Sequence, residues 1–233
     1  MTFSIVGSDP DSGHLGVAVS TAMSHVGGRC VYVKAGVGAA ATQGRTNPYL
    51  GVYALDLLAQ GRTAEDALGT VLGWDPERAY RQVHLVDAMG QSAAFTGPEA
   101  QPWCGHLTDE NFSVAGNSLT GFEVLDAMAS AFKAVKGPLA DRLIAALEAG
   151  QEAGGDRRGR ASAALLVAGK EDYVQIRLHV EQHLEPVAEL RRVYDDLLAH
   201  YPQGLRIPRS FMRGSPEGGG VDKRPARLND SAR

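Results

Sequence analysis

Two apolar runs with a turn between them stand at the start of the chain. Thr2-Phe-Ser-Ile-Val-Gly7 is β-branched and apolar, Asp9-Pro-Asp-Ser-Gly13 has turn chemistry, and Leu15-Gly-Val-Ala-Val-Ser20 is the second run. Together they predict a β-hairpin whose first strand opens at residue 2. Chain ends fray unless something ties them down, so a strand placed there has to be held by its neighbours.

That position also has a chemical meaning. Thr is small enough for cellular aminopeptidase to remove Met1, which would leave Thr2 with a free α-amine beside its own hydroxyl. An α-amine titrates near pH ~8 and can act as general base for a neighbouring alcohol nucleophile. The plain alternative is that Thr2 simply opens a strand.

The rest of the chain reads as alternating blocks of strand and helix. Met23–Gly28 is a Gly-punctuated loop, Arg29–Lys34 has strand composition, and Ala35–Thr42 is a small-residue run suited to close backbone approach. This run lacks the Gly-Lys-Ser/Thr ending of a P-loop. Its Gly36-Val-Gly38 has Ala41 where a third glycine would stand, and no ribose-binding acid follows a βα crossover, so nucleotide binding is not expected.

Asn47 caps a predicted helix with Pro48 at its first position, with Leu50, Tyr53, Ala54, Leu57 and Leu58 at helical spacing. Thr63 caps a second helix that stops at Gly73-Trp-Asp-Pro76. Arg81–Asp87 and Gln91–Thr96 form a strand pair containing His84, and a lone strand histidine is ordinarily structural or exposed. Trp103–His106 is a short apolar piece, and Asn111–Asn117 is a strand stopping at Gly116-Asn117.

Two helices follow, the first with Phe122, Leu125, Met128, Ala129 and Phe132 on one stripe and the second opening at Pro138. Strands at Ala161–Val167 and Tyr173–His179 and a helix over Pro186–His200 complete the pattern. Beyond Pro202 the composition is polar and Gly- and Pro-rich, and disorder is expected from Gly214 onward.

Composition narrows the class of protein. With 233 residues, 44% hydrophobic and 21% charged, the chain can bury one good-sized core. A net charge of −4 gives no footprint for nucleic acid or an anionic membrane. Cys30 and Cys104 are isolated, so no metal or redox motif is expected and both read as small apolar residues. No run approaches a membrane span or a signal peptide, which predicts a cytoplasmic protein.

Taken together, Thr2-Phe-Ser-Ile-Val, Gly16-Val-Ala-Val, Ala35–Gln43, Gly116-Asn117 and Gly154-Gly-Asp-Arg-Arg-Gly159 resemble an uncharacterised bacterial family. It is known as domain of unknown function ten-twenty-eight and assigned to the Ntn-hydrolase (N-terminal nucleophile) superfamily. The resemblance runs from Thr2 to about Tyr201. It implies an α+β fold of four-layer αββα type, two antiparallel sheets between helical layers, over residues 1–201, with 202–233 as a tail.

The resemblance also implies a site. Thr2 would be the nucleophile, and the strand-to-helix junction at Asn117 would supply oxyanion donors, although Asn117 or Ser118 as a simple helix cap is the competing reading. The proteasome β subunits, better-known relatives, have a strand Lys and a late Asp in slots that Lys34 and Asp156 fit, while Ser20 stands in the slot of a second-strand Asp. Asp156 would hold the α-ammonium and Arg157 would grip a carboxylate or carbonyl. Thr42, Gln43 and Asn47 would add polar groups to the same pocket.

The function expected is hydrolysis of a small-molecule amide through an acyl-enzyme on Thr2, without cofactor or metal. Two alternatives stay open: a catalytically idle fold serving as a binding or assembly module, and a hydrolase using Ser4 or Thr42 as nucleophile. A homodimer formed through an exposed helical layer is compatible with the sequence.

Overall fold

The computed structural model describes residues 2–202 and 204–206; the expected disorder from Gly214 lies outside the described residues. The opening hairpin is β1 (Thr2–Asp9) and β2 (His14–Thr21), joined through a turn at Gly13 with φ near +74°. That left-handed conformation costs glycine little and other residues more. The chain then runs through β3 (Val31–Lys34) and β4 (Gly38–Gly44), α1 (Pro48–Ala59) and α2 (Ala64–Trp74), and β5 (Arg81–Asp87) and β6 (Ser92–Thr96). It continues with β7 (Gly105–Asp109), β8 (Phe112–Asn117), α3 (Glu123–Ala134), α4 (Leu139–Glu152), β9 (Ser162–Ala168), β10 (Val174–Val180) and α5 (Pro186–His200).

The strands make two antiparallel sheets. One has the order β10-β9-β2-β1-β8-β7 and the other β3-β4-β5-β6. The first strand is therefore interior, paired with β2 on one side and β8 on the other, and this is what secures the beginning of the described chain. Seven of its eight residues are buried.

Three apolar cores follow from the period of two along each strand. Phe3 and Ile5 face α3 and α4 in a core that also takes in β8, β9 and α5. Val6, Val17 and Val19 face the other way, toward Ala39, Ala41 and Val86 of the four-stranded sheet. On that sheet's far side Ala40, Val83 and Leu85 pack against Leu50, Ala54, Leu68 and Val71 of α1 and α2. The run of alanines in β4 thus serves both faces at once, and its small side chains allow close approach on each.

Two sequence expectations are corrected. Tyr53 does not join the buried stripe of α1: it is exposed, stacked on Tyr49 at 5.4 Å between centroids and set edge-on to Trp74 at 6.1 Å, and Gly51 and Leu55 are buried instead. Phe122 lies before α3 and is also exposed, edge-on to Trp103 at 6.0 Å. In both cases helical spacing fits an aromatic ring that another ring shelters instead of the core. Among the described residues no helix is long and apolar enough to cross a membrane.

Candidate active site

Alternation along β1 sends Thr2 and Ser4 to the face opposite Phe3 and Ile5, toward the second sheet. Thr2 lies directly across from Asn117 of β8, and its hydroxyl donates to Thr21 Oγ1 of β2 at 3.3 Å. It lines a cavity of about 260 Å³. The loop after β2 supplies Met23, Ser24, His25 and Val26 to the wall, the approach to β3 supplies Arg29 and Cys30, and the end of β4 supplies Gly44 and Thr46. Cys30 Sγ is 3.8 Å from Thr46 Oγ1, and burial pushes its thiol above the ordinary range.

One step further into the molecule the sheets are joined by a chain of buried polar groups. Gln82 is its hub. Its Nε2 is within 2.8–2.9 Å of Gly116 O, Gly105 O and Thr96 Oγ1, so the nitrogen must occupy that side of the amide. Oε1 then accepts from Gln43 Nε2 at 2.8 Å and from Asn117 Nδ2 at 2.9 Å. Gln43 Oε1 consequently faces Ser4 Oγ at 2.7 Å, and the Ser4 hydroxyl must donate to it.

The direction of that last bond decides what His84 can do. Ser4 has a single hydrogen, already given to Gln43, so His84 Nε2 at 2.8 Å donates to Ser4 and does not accept from it. His84 Nδ1 is left facing Ser113 Oγ at 3.2 Å, whose single hydrogen serves either that nitrogen or Leu107 O at 3.1 Å. Complete burial, with the nearby His106 charge adding to it, holds the imidazole down to about 3, so the ring is neutral. A Ser–His dyad needs the imidazole to take the hydroxyl proton; this pair runs the other way, and Ser4 is sealed from solvent.

The structure brings some of the expected site residues together and separates others. Thr2, Asn117 and Gln43 belong to one connected region. Lys34 does not join them. It sits at the far end of β3, half exposed, with its ammonium 3.2 Å from Asp56 of α1. Thr42 is buried and donates to Asn47 O, while Asn47 caps α1 through Tyr49 N–H and donates to Asp75 at 2.9 Å; neither lines the Thr2 cavity.

The late charge cluster also differs from expectation. Asp156 is buried and accepts from Ala22 N–H at 3.0 Å and Arg158 N–H at 3.0 Å, with Arg158 Nη2 at 3.1 Å. The Asp156 carboxylate, expected to hold the α-ammonium, is thus occupied by Ala22 N–H and Arg158, and Arg157 is exposed with its backbone N–H on Ser118 O and does not line the Thr2 cavity. The donors expected after Asn117 are committed as well. The N–H groups of Ser118, Leu119 and Thr120 go to Gln101 O, Trp103 O and Gly155 O at 2.8, 2.9 and 3.2 Å.

Apart from Thr2, sequence reading assigned none of the cavity residues to a site, Thr21, Arg29, Cys30 and Thr46 among them. The hairpin turn held a signal for the first of these, because register counted outward from it sets residue 21 beside residue 2. Nothing comparable announced Cys30 or Thr46, which flank β3 and β4 of the other sheet in connecting segments. Among the described residues no group of three or more His, Cys, Asp or Glu side chains is placed to hold a metal ion.

The fold is thus an α+β arrangement of two antiparallel sheets with five α-helices among the described residues, and a threonine at the start of a central strand faces its cavity. The chain belongs to the family of unknown function DUF1028, whose model matches residues 2–190. The crystal structure of protein SPO2555 from Silicibacter pomeroyi, also of the DUF1028 family, matches with a TM-score of 0.82 at 34% identity, over 89% of this chain and 94% of that one.

Two proteins named Anbu are far more distant. The ancestral β-subunit from Yersinia bercovieri has 10% identity and a TM-score of 0.41, and Anbu from Hyphomicrobium sp. strain MC1 has 9% and 0.40. Each match covers 89% of this chain and 98% of the other, and both are too slight to bear on function. No curated protein matches the chain significantly.

Proposed function

We propose that this protein is an N-terminal-nucleophile hydrolase of four-layer αββα type that cleaves an amide bond of a small molecule through an acyl-enzyme on Thr2. The observation that carries this reading is the position of the Thr2 hydroxyl. Thr2, 5% exposed and with its hydroxyl on Thr21 Oγ1, lines a cavity of about 260 Å³, whereas Ser4 and Thr42 are fully buried, donate to Gln43 and Asn47, and do not line it. Loss of Met1 makes Thr2 the first residue and supplies the α-amine.

In this mechanism the α-amine takes the hydroxyl proton as Thr2 Oγ1 attacks the carbonyl carbon. The C–N bond then breaks, with the proton passing to the departing amine, and an ester remains on Thr2. Water activated by the same amine cleaves the ester, releasing the acid and restoring the hydroxyl. Asn117 lies across the ladder from Thr2, buried and outside the cavity wall, with one amide hydrogen on Gln82; its other hydrogen is assigned to the oxyanion, a role worth on the order of 3 kcal/mol where it operates.

A screen of small amides tests the proposal. Thr2→Ser should retain turnover and Thr2→Ala should lose it by at least about 100-fold, the scale of one catalytic group. Equal turnover by the parent and Thr2→Ala would refute it.

A further inference from the structure

The cavity at Thr2 has an uneven electrical wall. Neither Asp nor Glu lines it, and apart from Arg29 and His25 its side chains are neutral. The His25 imidazole is held by Glu181, with Nδ1 2.8 Å from Oε2. Arg45 is committed to Glu77, Arg81 to Asp75 and Glu77, Arg158 to Asp156 and Arg160 to Glu185, and Arg157 is exposed and does not line the cavity. Arg29 differs. Its backbone N–H goes to Val26 O and its carbonyl accepts from the Tyr32 hydroxyl, and among the described residues its guanidinium meets no acid.

A cation on the wall of an acid-free cavity selects for an anion, and a guanidinium matches a carboxylate in a bidentate fork. The chain's net charge of −4 offers no general attraction for such a ligand, so its capture has to be local. A volume of about 260 Å³ holds a small molecule only. Resting on the reading that this cavity receives the substrate, we propose that the substrate is a small amide bearing a free carboxylate, and that Arg29 binds the carboxylate while the amide carbonyl lies at Thr2. Arg29 determines specificity and takes no part in the bond-breaking steps.

The test is calorimetric binding to the full-length Thr2→Ala protein, which cannot turn the ligand over, at low ionic strength. The probes are N-acetylglycine and N-acetyl-β-alanine, each compared with its neutral carboxamide. At least one acid should bind about tenfold more tightly than its amide, as expected for a charge-assisted hydrogen-bonded pair. Its affinity should fall with added salt, and Arg29→Gln should abolish the preference.

Equal binding of acid and amide, no binding of either acid, or a preference that survives Arg29→Gln overturns the inference. Covalent labelling at Thr2 keeps this result separate from the chemistry. A carboxylate preference without labelling leaves the anion subsite standing and the nucleophile refuted, and labelling without a preference refutes the subsite alone.

Discussion

Thr2 sits directly across the β1–β8 ladder from Asn117, and Asn117 is tied through Gln82 to Gln43 of the opposite sheet. The strand that carries the candidate nucleophile is thereby linked by hydrogen bonds to both sheets. A rigid buried frame of this kind holds a reacting group in place without lengthy side chains of its own.

Gln82 is the member of that frame with most to lose. Replacing it with Leu removes the donor to Gly105 O and Gly116 O and leaves the Gln43 and Asn117 amides without their acceptor. Each stranded buried polar group costs about 1–3 kcal/mol. Gln82→Leu should therefore lower unfolding free energy by about 3–5 kcal/mol, read as a lower urea midpoint. An unchanged midpoint would mean the network is not formed in solution.

His84 gives the protein a pH dependence. Its folded-state value near 3 lies below the 6.5 expected when exposed, so between those limits the unfolded chain binds a proton that the folded chain does not. The stability it contributes is complete above pH ~6.5 and is lost as pH falls toward 3, at about 1.4 kcal/mol per pH unit for one proton. Denaturation of parent and His84→Gln between pH 4 and 7 should give a shallower slope for the variant. Parallel slopes would contradict the assignment of a neutral buried imidazole.

Lys34 should be dispensable. Its ammonium and the Asp56 carboxylate are 47% and 53% exposed, and pairs of that kind contribute about 0–1 kcal/mol. Lys34→Ala is expected to keep both stability and the rate of covalent labelling at Thr2 within about twofold. A loss of labelling beyond about 100-fold, the scale of a catalytic group, would return Lys34 to the site.

Ser118 is a place where the backbone bends against side-chain preference. Its φ is +51°, and its hydroxyl is buried without a hydrogen-bond partner. Glycine relieves the left-handed strain of about 1–2 kcal/mol and removes the orphaned oxygen, against roughly 0.5–1 kcal/mol of added chain entropy. Ser118→Gly should raise the urea midpoint slightly; a fall would show that the hydroxyl finds a partner in solution.

Much of the fold was legible because period and punctuation agreed. The Asp9–Gly13 turn, the Asn47 and Thr63 caps and the alternating runs all point to elements that form. The aromatic residues Tyr53 and Phe122 misled, since spacing alone does not tell a ring in the core from one resting on another ring. The site was legible only near Thr2 itself. Lys34 followed from sequence distance along a strand, but β3 carries it away from the cavity. Asp156 was expected to hold the α-ammonium, but its carboxylate takes Ala22 N–H and Arg158 in a loop whose backbone contacts reach Ser118, and no local pattern encodes those long-range contacts.

Whether Thr2 is the nucleophile is read from the intact mass of the protein. The protein from its own host and a Thr2→Ala variant would each be weighed before and after exposure to an acylating electrophile. Loss of Met1 and a single covalent adduct on the parent that the variant does not form are expected. Retained Met1, or equal labelling of the two proteins, would contradict it.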